Sequence, residues 1–227
     1  MSYIDPGTAR RTRSQRVAYL CMRGFMIGFT KVYFRVSFAG LEHIPAQGGF
    51  ILAPVHRSNI DTFPMIAMTR RRLGFLGKDS LWKTKLTAWF FTTMGGYPVH
   101  RGTADREALK RCLEVVNRGE GLILFPEGTR QSGPAVCDLF EGAAYTASKA
   151  NVPIIPMGIG GSERAMPKGA KMLRPVKLHY EIGAPIPAPL AEDGGRASRD
   201  QLHATTKVLH EELQRVFDVA RQKAGDA

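Results

Sequence analysis

Acidic residues are scarce in this chain. Against 32 lysines and arginines stand 20 aspartates and glutamates, a formal net charge of +12. Such a surplus points to an anionic partner: nucleic acid, an anionic membrane surface or a phosphorylated substrate. Cysteine is scarcer still. Cys21, Cys112 and Cys137 lie far apart and form no CxxC, which excludes a disulfide framework or a zinc ribbon and leaves a reducing cytoplasm as the default. The remaining histidines beside His56, namely His43, His100, His179, His203 and His210, show no metal-ligand spacing, so no metal is expected. Long apolar runs are missing too. Residues 17–38 are cut by Arg23, Lys31 and Arg35, and the longest charge-free run among them is 24–30. A membrane-spanning helix needs about 20 mostly apolar residues, so none is expected. The opening MSYIDPGTARRTRSQR leads into no apolar core at the distance a secretory signal requires, so none is expected there either.

What is present is enough for a core. With 227 residues, 44% of them hydrophobic, the chain fits one domain with an appendage. The appendage is residues 1–40, where no proline interrupts 10–36 and a helix or helix pair is predicted. At roughly 100° per residue, Cys21, Phe25, Phe29, Val32 and Val36 share an arc with Met22 and Tyr33. Arg13, Arg16, Arg23, Lys31 and Arg35 fall opposite, with Leu20, Ile27 and Phe34 intruding. That pattern fits a helix lying in a membrane interface; it equally fits a core-packed helix with a solvated basic face.

From Gly49 onward, apolar runs alternate with helical patterns. Strands are predicted at 50–55, 72–77, 97–100, 121–125, 152–157 and 176–182, and helices at 61–68, 81–93, 105–117, 140–149 and 199–223. This alternation predicts a single α/β domain over 41–227, a mostly parallel mixed sheet flanked by helices. Lys83 and Lys85 interleave with Trp82, Trp89, Phe90 and Phe91, a mixture suited to a headgroup boundary. Single-stranded nucleic acid could also use such a mixture. Those aromatics, however, lie in a helical pattern without an RNA-binding or helix-turn-helix signature, so no nucleic acid is expected.

Four short stretches could carry chemistry. In APVHRSNIDTFP, His56 precedes Asp61 by five residues. On one continuous helix that spacing would aim the two side chains about 140° apart. With His56 at a strand end and Asp61 in the first turn of the next helix, the carboxylate could instead hold Nδ1–H and leave Nε2 as a base. An ordinary turn containing both remains the alternative. GGYPVHRG would place Arg101 after a short strand, where a guanidinium can grip phosphate oxygens or simply sit on the surface. In LILFPEGTR a strand runs straight into Glu127, Gly128, Thr129 and Arg130. Burying that acid beside an arginine is costly unless a site uses them, and a tight turn with a local Glu–Arg pair is the bland reading. NVPIIPMGIGG carries Pro153 and Pro156 in an apolar run, which suits an edge strand.

In this order the four stretches resemble the glycerolipid acyltransferases, of which bacterial PlsC-type lysophosphatidic acid acyltransferases are the type. The family's His-x4-Asp block is matched by His56 and Asp61, its Gly-x-x-Pro-x-x-Arg block by residues 95–101, Phe-Pro-Glu-Gly-Thr-Arg by 125–130, and Val-Pro-Ile-Ile-Pro by 152–156. GKDSLWK at 77–83 is similar to the family's lysine-containing segment, and the resemblance covers about 45–187. Val55 stands where many relatives carry Asn, and Gln131 where Ser is frequent.

The resemblance implies an O-acyltransferase that moves a fatty acyl chain from acyl-CoA or acyl carrier protein to lysophosphatidic acid. Glycerol-3-phosphate or another lysophospholipid is the alternative acceptor; a thioester hydrolase or a non-catalytic anionic-lipid binder is the alternative class. It implies His56 as general base, oriented by Asp61. Arg101, Arg130 and Lys78 would hold the acceptor's phosphate, while Glu127, Gly128 and Thr129 would shape its site. Backbone amides near Gly128 are the expected oxyanion donors, and Ser58 is expected to be structural. No cofactor beyond the thioester substrate is implied. Peripheral attachment to the cytoplasmic face of an anionic membrane is expected.

Overall fold

The computed structural model describes residues 13–99, 106–190 and 197–226. Apolar runs and amphipathic stretches alternate through it as predicted. Helix α1 (Arg13–Tyr33) leads into β1 (Ser37–Ala39), and β2 (Phe50–Pro54), α2 (Met65–Met68), β3 (Leu73–Lys78), α3 (Lys85–Met94) and β4 (Gly96–Val99) follow. Next come α4 (Arg106–Asn117), β5 (Gly121–Ile123), α5 (Gly142–Ala150), β6 (Ile154–Gly160), α6 (Ser162–Ala165), β7 (His179–Ile182) and α7 (Arg199–Ala224). Among the described residues the strands form one sheet of order β1-β7-β6-β2-β5-β3-β4. Five strands run in one direction; β7 is antiparallel to β6, and β1 pairs parallel with β7. The domain is therefore α/β with a mostly parallel sheet.

The central strand β2 is completely buried, because FILAP contains no polar side chain and both sheet faces are covered. Alternation divides it. Phe50 and Leu52 pack with Met65, Leu73 and Ile123, while Ile51 and Ala53 meet Val115, Val116, Ala143 and Ala147 of α4 and α5. Helix α7 starts at a capping box between Ser198 and Gln201. It lies directly on β6: a Cβ added to Gly158 or Gly160 would come within 2.2 Å of the Val216 carbonyl oxygen or 2.1 Å of that of Ala220. Only glycine permits that approach.

Three expectations need correction. β6 is interior, not an edge strand, because β2 and β7 flank it. Pro153 precedes its first residue, and Pro156 falls where the β7 side bulges. Between the pairs Ile154↔Ile186 and Met157↔Ile182, two residues on β6 oppose three on the partner. The Pro156 carbonyl still accepts from the Gly183 N–H at 2.9 Å, and no N–H is missed at a bulge. The helix predicted over 61–68 forms only from Met65, since Pro64 disfavours a helical residue before it. The strand β1 was not anticipated, because three residues with one polar side chain carry little pattern.

Helix α1 also differs from its predicted faces. Arg23, expected among the outer cations, turns inward and donates to the Thr69 carbonyl at 2.9 Å. Phe29, Tyr33 and Val36 pack against the core, whereas Phe25 and Val32, expected on the same arc, are 69% and 82% exposed. Thr30 and Phe34 are buried, so the segment is joined to the domain.

Candidate active site

β2 is extended by Val55, whose N–H donates to the Met157 carbonyl at 3.1 Å and whose side chain is buried in the core. His56 therefore emerges at the carboxyl edge of the central strand, where open α/β sheets bind ligands. Its Nδ1 lies 2.9 Å from Asp61 Oδ2. The same oxygen accepts from the N–H groups of Arg57 and Ser58, both at 2.8 Å. Asp61 thus sits in a turn folded around its own carboxylate, not in the first turn of a helix. It is fully buried, and Oδ1 accepts no hydrogen bond. A carboxylate can only accept, so the imidazole proton is fixed on Nδ1 and Nε2 is the nitrogen left to take a proton.

The ring is held from other sides. It stacks on Phe125 with centroids 3.9 Å apart. Glu127 Oε2 accepts from the His56 N–H at 3.0 Å, and the Gln131 N–H donates to the His56 carbonyl at 2.9 Å. Tyr180 donates its hydroxyl to the Asp61 carbonyl at 3.0 Å. Burial, helped by the Asp61 charge, pushes that phenol well above its usual range, so it stays a donor. Ser58 is buried with Oγ donating to the Met166 carbonyl at 2.8 Å, a structural bond.

A cavity of about 490 Å³ opens beside His56. Leu73, Phe75 and Ile123 come from the sheet, Tyr19 and Met26 from α1, and Phe90, Phe91 and Met94 from α3. His56, Arg71, Lys78, Gly128 and Arg130 also line it, so one apolar hollow carries an imidazole and three cationic side chains. Arg101 lies outside the described residues. Thr129 is exposed, accepts from Gln131 Nε2 at 3.2 Å and is not among the cavity-lining residues.

Glu127 does not line the cavity, and its partner is not Arg130. Its carboxylate receives Arg57 Nη1 at 3.0 and 2.8 Å and the Cys137 N–H at 3.1 Å, entirely inside the protein. Arg57 in turn donates to the Ala135 carbonyl at 2.9 Å and lies over the Phe217 ring at 4.7 Å. The amides of Gly128 and Thr129 are also engaged, donating to the carbonyls of Phe125 and Glu127, so they are not the expected oxyanion donors. Sequence reasoning missed Arg57. The register offers a signal, since Leu52 pairs with Ile123 and residues 57 and 127 follow at nearly the same level.

A His–Asp pair with its carboxylate buried at a sheet's carboxyl edge, beside an apolar cavity lined by cations, fits the ordered motifs. The model of the acyltransferase family covers residues 35–160. The chain belongs to the acyltransferase family. It is 27% identical over 142 residues to a chloroplast 1-acyl-sn-glycerol-3-phosphate acyltransferase of Brassica napus, covering 61% of this chain and 41% of that one. The 1-acyl-sn-glycerol-3-phosphate acyltransferase of Bacillus subtilis strain 168 is 24% identical over 173 residues, covering 76% and 83%. This chain thus spans about two fifths of the plant enzyme's length and most of the bacterial one's. Among solved structures, the 1-acyl-sn-glycerophosphate acyltransferase PlsC from Thermotoga maritima superposes with a TM-score of 0.73 at 25% identity, covering 92% of this chain and 83% of that one.

Proposed function

We propose that this family member transfers an acyl chain from acyl-CoA or acyl carrier protein to the free hydroxyl of lysophosphatidic acid, producing phosphatidic acid. The observation that carries this reading is the His56–Asp61 pair at 2.9 Å on the wall of the cavity that Lys78 and Arg130 also line. Nε2 of His56 takes the proton of the acceptor hydroxyl as its oxygen attacks the thioester carbonyl carbon. Asp61 stabilises the imidazolium that forms. The tetrahedral intermediate collapses, the C–S bond breaks, and the imidazolium returns the proton to the leaving thiolate. The step balances with the two substrates and protein groups alone.

Lys78, Arg130 and Arg101 hold the acceptor's phosphate in this reading, and the apolar cavity takes an acyl chain. No described helix is long and apolar enough to cross a membrane. Exposed Val17, Leu20, Phe25 and Val32 on α1 and Leu86 and Trp89 on α3 support attachment at a lipid surface instead. The cations that accompany them make that surface an anionic one, which we place at the cytoplasmic face.

The test is thiol release from acyl-CoA with lysophosphatidic acid, with glycerol-3-phosphate and with neither. Release that requires lysophosphatidic acid supports the reading. Equal release without acceptor makes the protein a thioesterase, and release with glycerol-3-phosphate alone moves the acceptor.

A further inference from the structure

The loop between α6 and β7, residues 166–178, is a surface that the acyl-transfer reading leaves unused. It carries Lys168, Lys171, Arg174 and Lys177, and no acidic residue occurs between Arg164 and Tyr180. Residues 171–175 are all exposed, Met172 by 80% and Leu173 by 36%. A single exposed methionine is ordinary. An apolar pair at the tip of a loop whose every charge is positive is a composition suited to an anionic lipid interface.

The loop is held in place at several points. The Arg174 N–H donates to the Ala165 carbonyl at 2.9 Å, and the Leu178 N–H to the Phe34 carbonyl at 3.0 Å. The Tyr33 hydroxyl donates to the Leu173 carbonyl at 3.0 Å, setting the tip beside the last turn of α1, which exposes Val32 and Lys31. The part of α1 before that turn, through Tyr19 and Met26, instead shares the cavity with α3. So α1 has two apolar, cationic elements beside it, α3 along its middle and this loop at its end. The loop also leaves β6 at the sheet edge from which His56 leaves β2, since those strands are parallel.

We infer that the tip Met172–Leu173 is a separate lipid-contact element that docks on an anionic bilayer and, with α1 and α3, turns the carboxyl edge of the sheet toward it. This rests on the reading that the enzyme works at a lipid surface. Its cations could alternatively attract an acidic carrier protein, but that partner leaves the exposed Met–Leu pair without a role.

The experiment sediments the full chain with phosphatidylcholine vesicles, with and without phosphatidylglycerol, comparing wild type with the double variant Met172→Glu, Leu173→Glu. Burying two such side chains predicts a loss of about tenfold or more in affinity for the anionic vesicles. Turnover of a water-soluble short-chain lysophosphatidic acid should be unchanged. Val208→Glu, altering an exposed apolar residue of α7, should match wild type in both assays. If wild type binds and the double variant binds equally, the loop proposal falls while the lipid-surface reading stands. If wild type does not bind, both fall. A defect confined to turnover with acyl carrier protein would reassign the loop to that partner and overturn the proposal.

Discussion

Arg57 and Glu127 form an ion pair at 2.8 Å with side chains 1% and 0% exposed, directly behind the backbone of His56. Removing one partner of such a pair strands the other charge, at a cost of about 3–5 kcal/mol. Glu127→Gln should therefore lower the unfolding free energy obtained from urea titration by an amount of that order. It should also lower kcat, because the carboxylate fixes the His56 N–H. Arg57→Met combined with Glu127→Gln should recover part of the stability and none of the activity. A stable, fully active Glu127→Gln protein would refute the positioning role.

Asp61→Asn keeps a side-chain oxygen for the amides of Arg57 and Ser58 but no longer imposes the Nδ1–H tautomer. General-base catalysis contributes about 10²–10⁴-fold, so kcat should fall by about a hundredfold or more with little change in KM for either substrate. An unchanged kcat in steady-state assays would remove the pair from the chemistry.

Arg130 lines the cavity with Lys78. Arg130→Ala should raise KM for lysophosphatidic acid by about tenfold or more, as loss of a charge-assisted bond to phosphate does. Acceptor-independent thioester hydrolysis should be unaffected. A rise confined to the KM for acyl-CoA would place Arg130 at the donor instead.

Much of this site is legible in the sequence because its residues follow strands directly. A His five residues before an Asp after an apolar run, and FPEGTR after another, mark the carboxyl edge of a parallel sheet without knowledge of its order. What stays hidden depends on which strands become neighbours. Arg57 meets Glu127 only because β2 pairs with β5 in the observed register, and a local Glu127–Arg130 pair looks equally reasonable in one dimension. Pro156 reads as an edge residue until the bulge opposite it is known. The faces of α1 were misjudged at Arg23 because its partner, the Thr69 carbonyl, is 46 residues away.

Away from the site, His179 of β7 bonds one neighbouring strand, β1, and Glu181 of its own strand. One ring nitrogen lies 2.8 Å from Ser37 Oγ and the other 2.8 Å from Glu181 Oε2, which also receives Lys223. Burial lowers the His179 pKa from its ordinary 6.5, outweighing the pull of Glu181, while Lys223 and Lys177 add to the lowering. The unfolded chain therefore takes the proton first. The stability from a neutral His179 is complete above pH 6.5 and is lost as pH falls below that value toward the lower folded one. Burial alone would raise Glu181, but bonds and charge from Lys223 and His179 hold it below its usual range, adding a loss at lower pH. Thermal melts from pH 7.5 to 5.5 should show a drop in Tm that His179→Gln makes smaller. A drop of equal size in the variant would exclude His179 as its source.

The central claim is that His56 activates the acceptor hydroxyl. Its most direct test is thiol release from acyl-CoA under saturating lysophosphatidic acid, comparing wild type with His56→Ala, with circular dichroism confirming that both are folded. Acceptor-dependent release is expected in wild type, with a fall of about 10²-fold or more in the folded variant. Release at the wild-type rate from folded His56→Ala protein would contradict it.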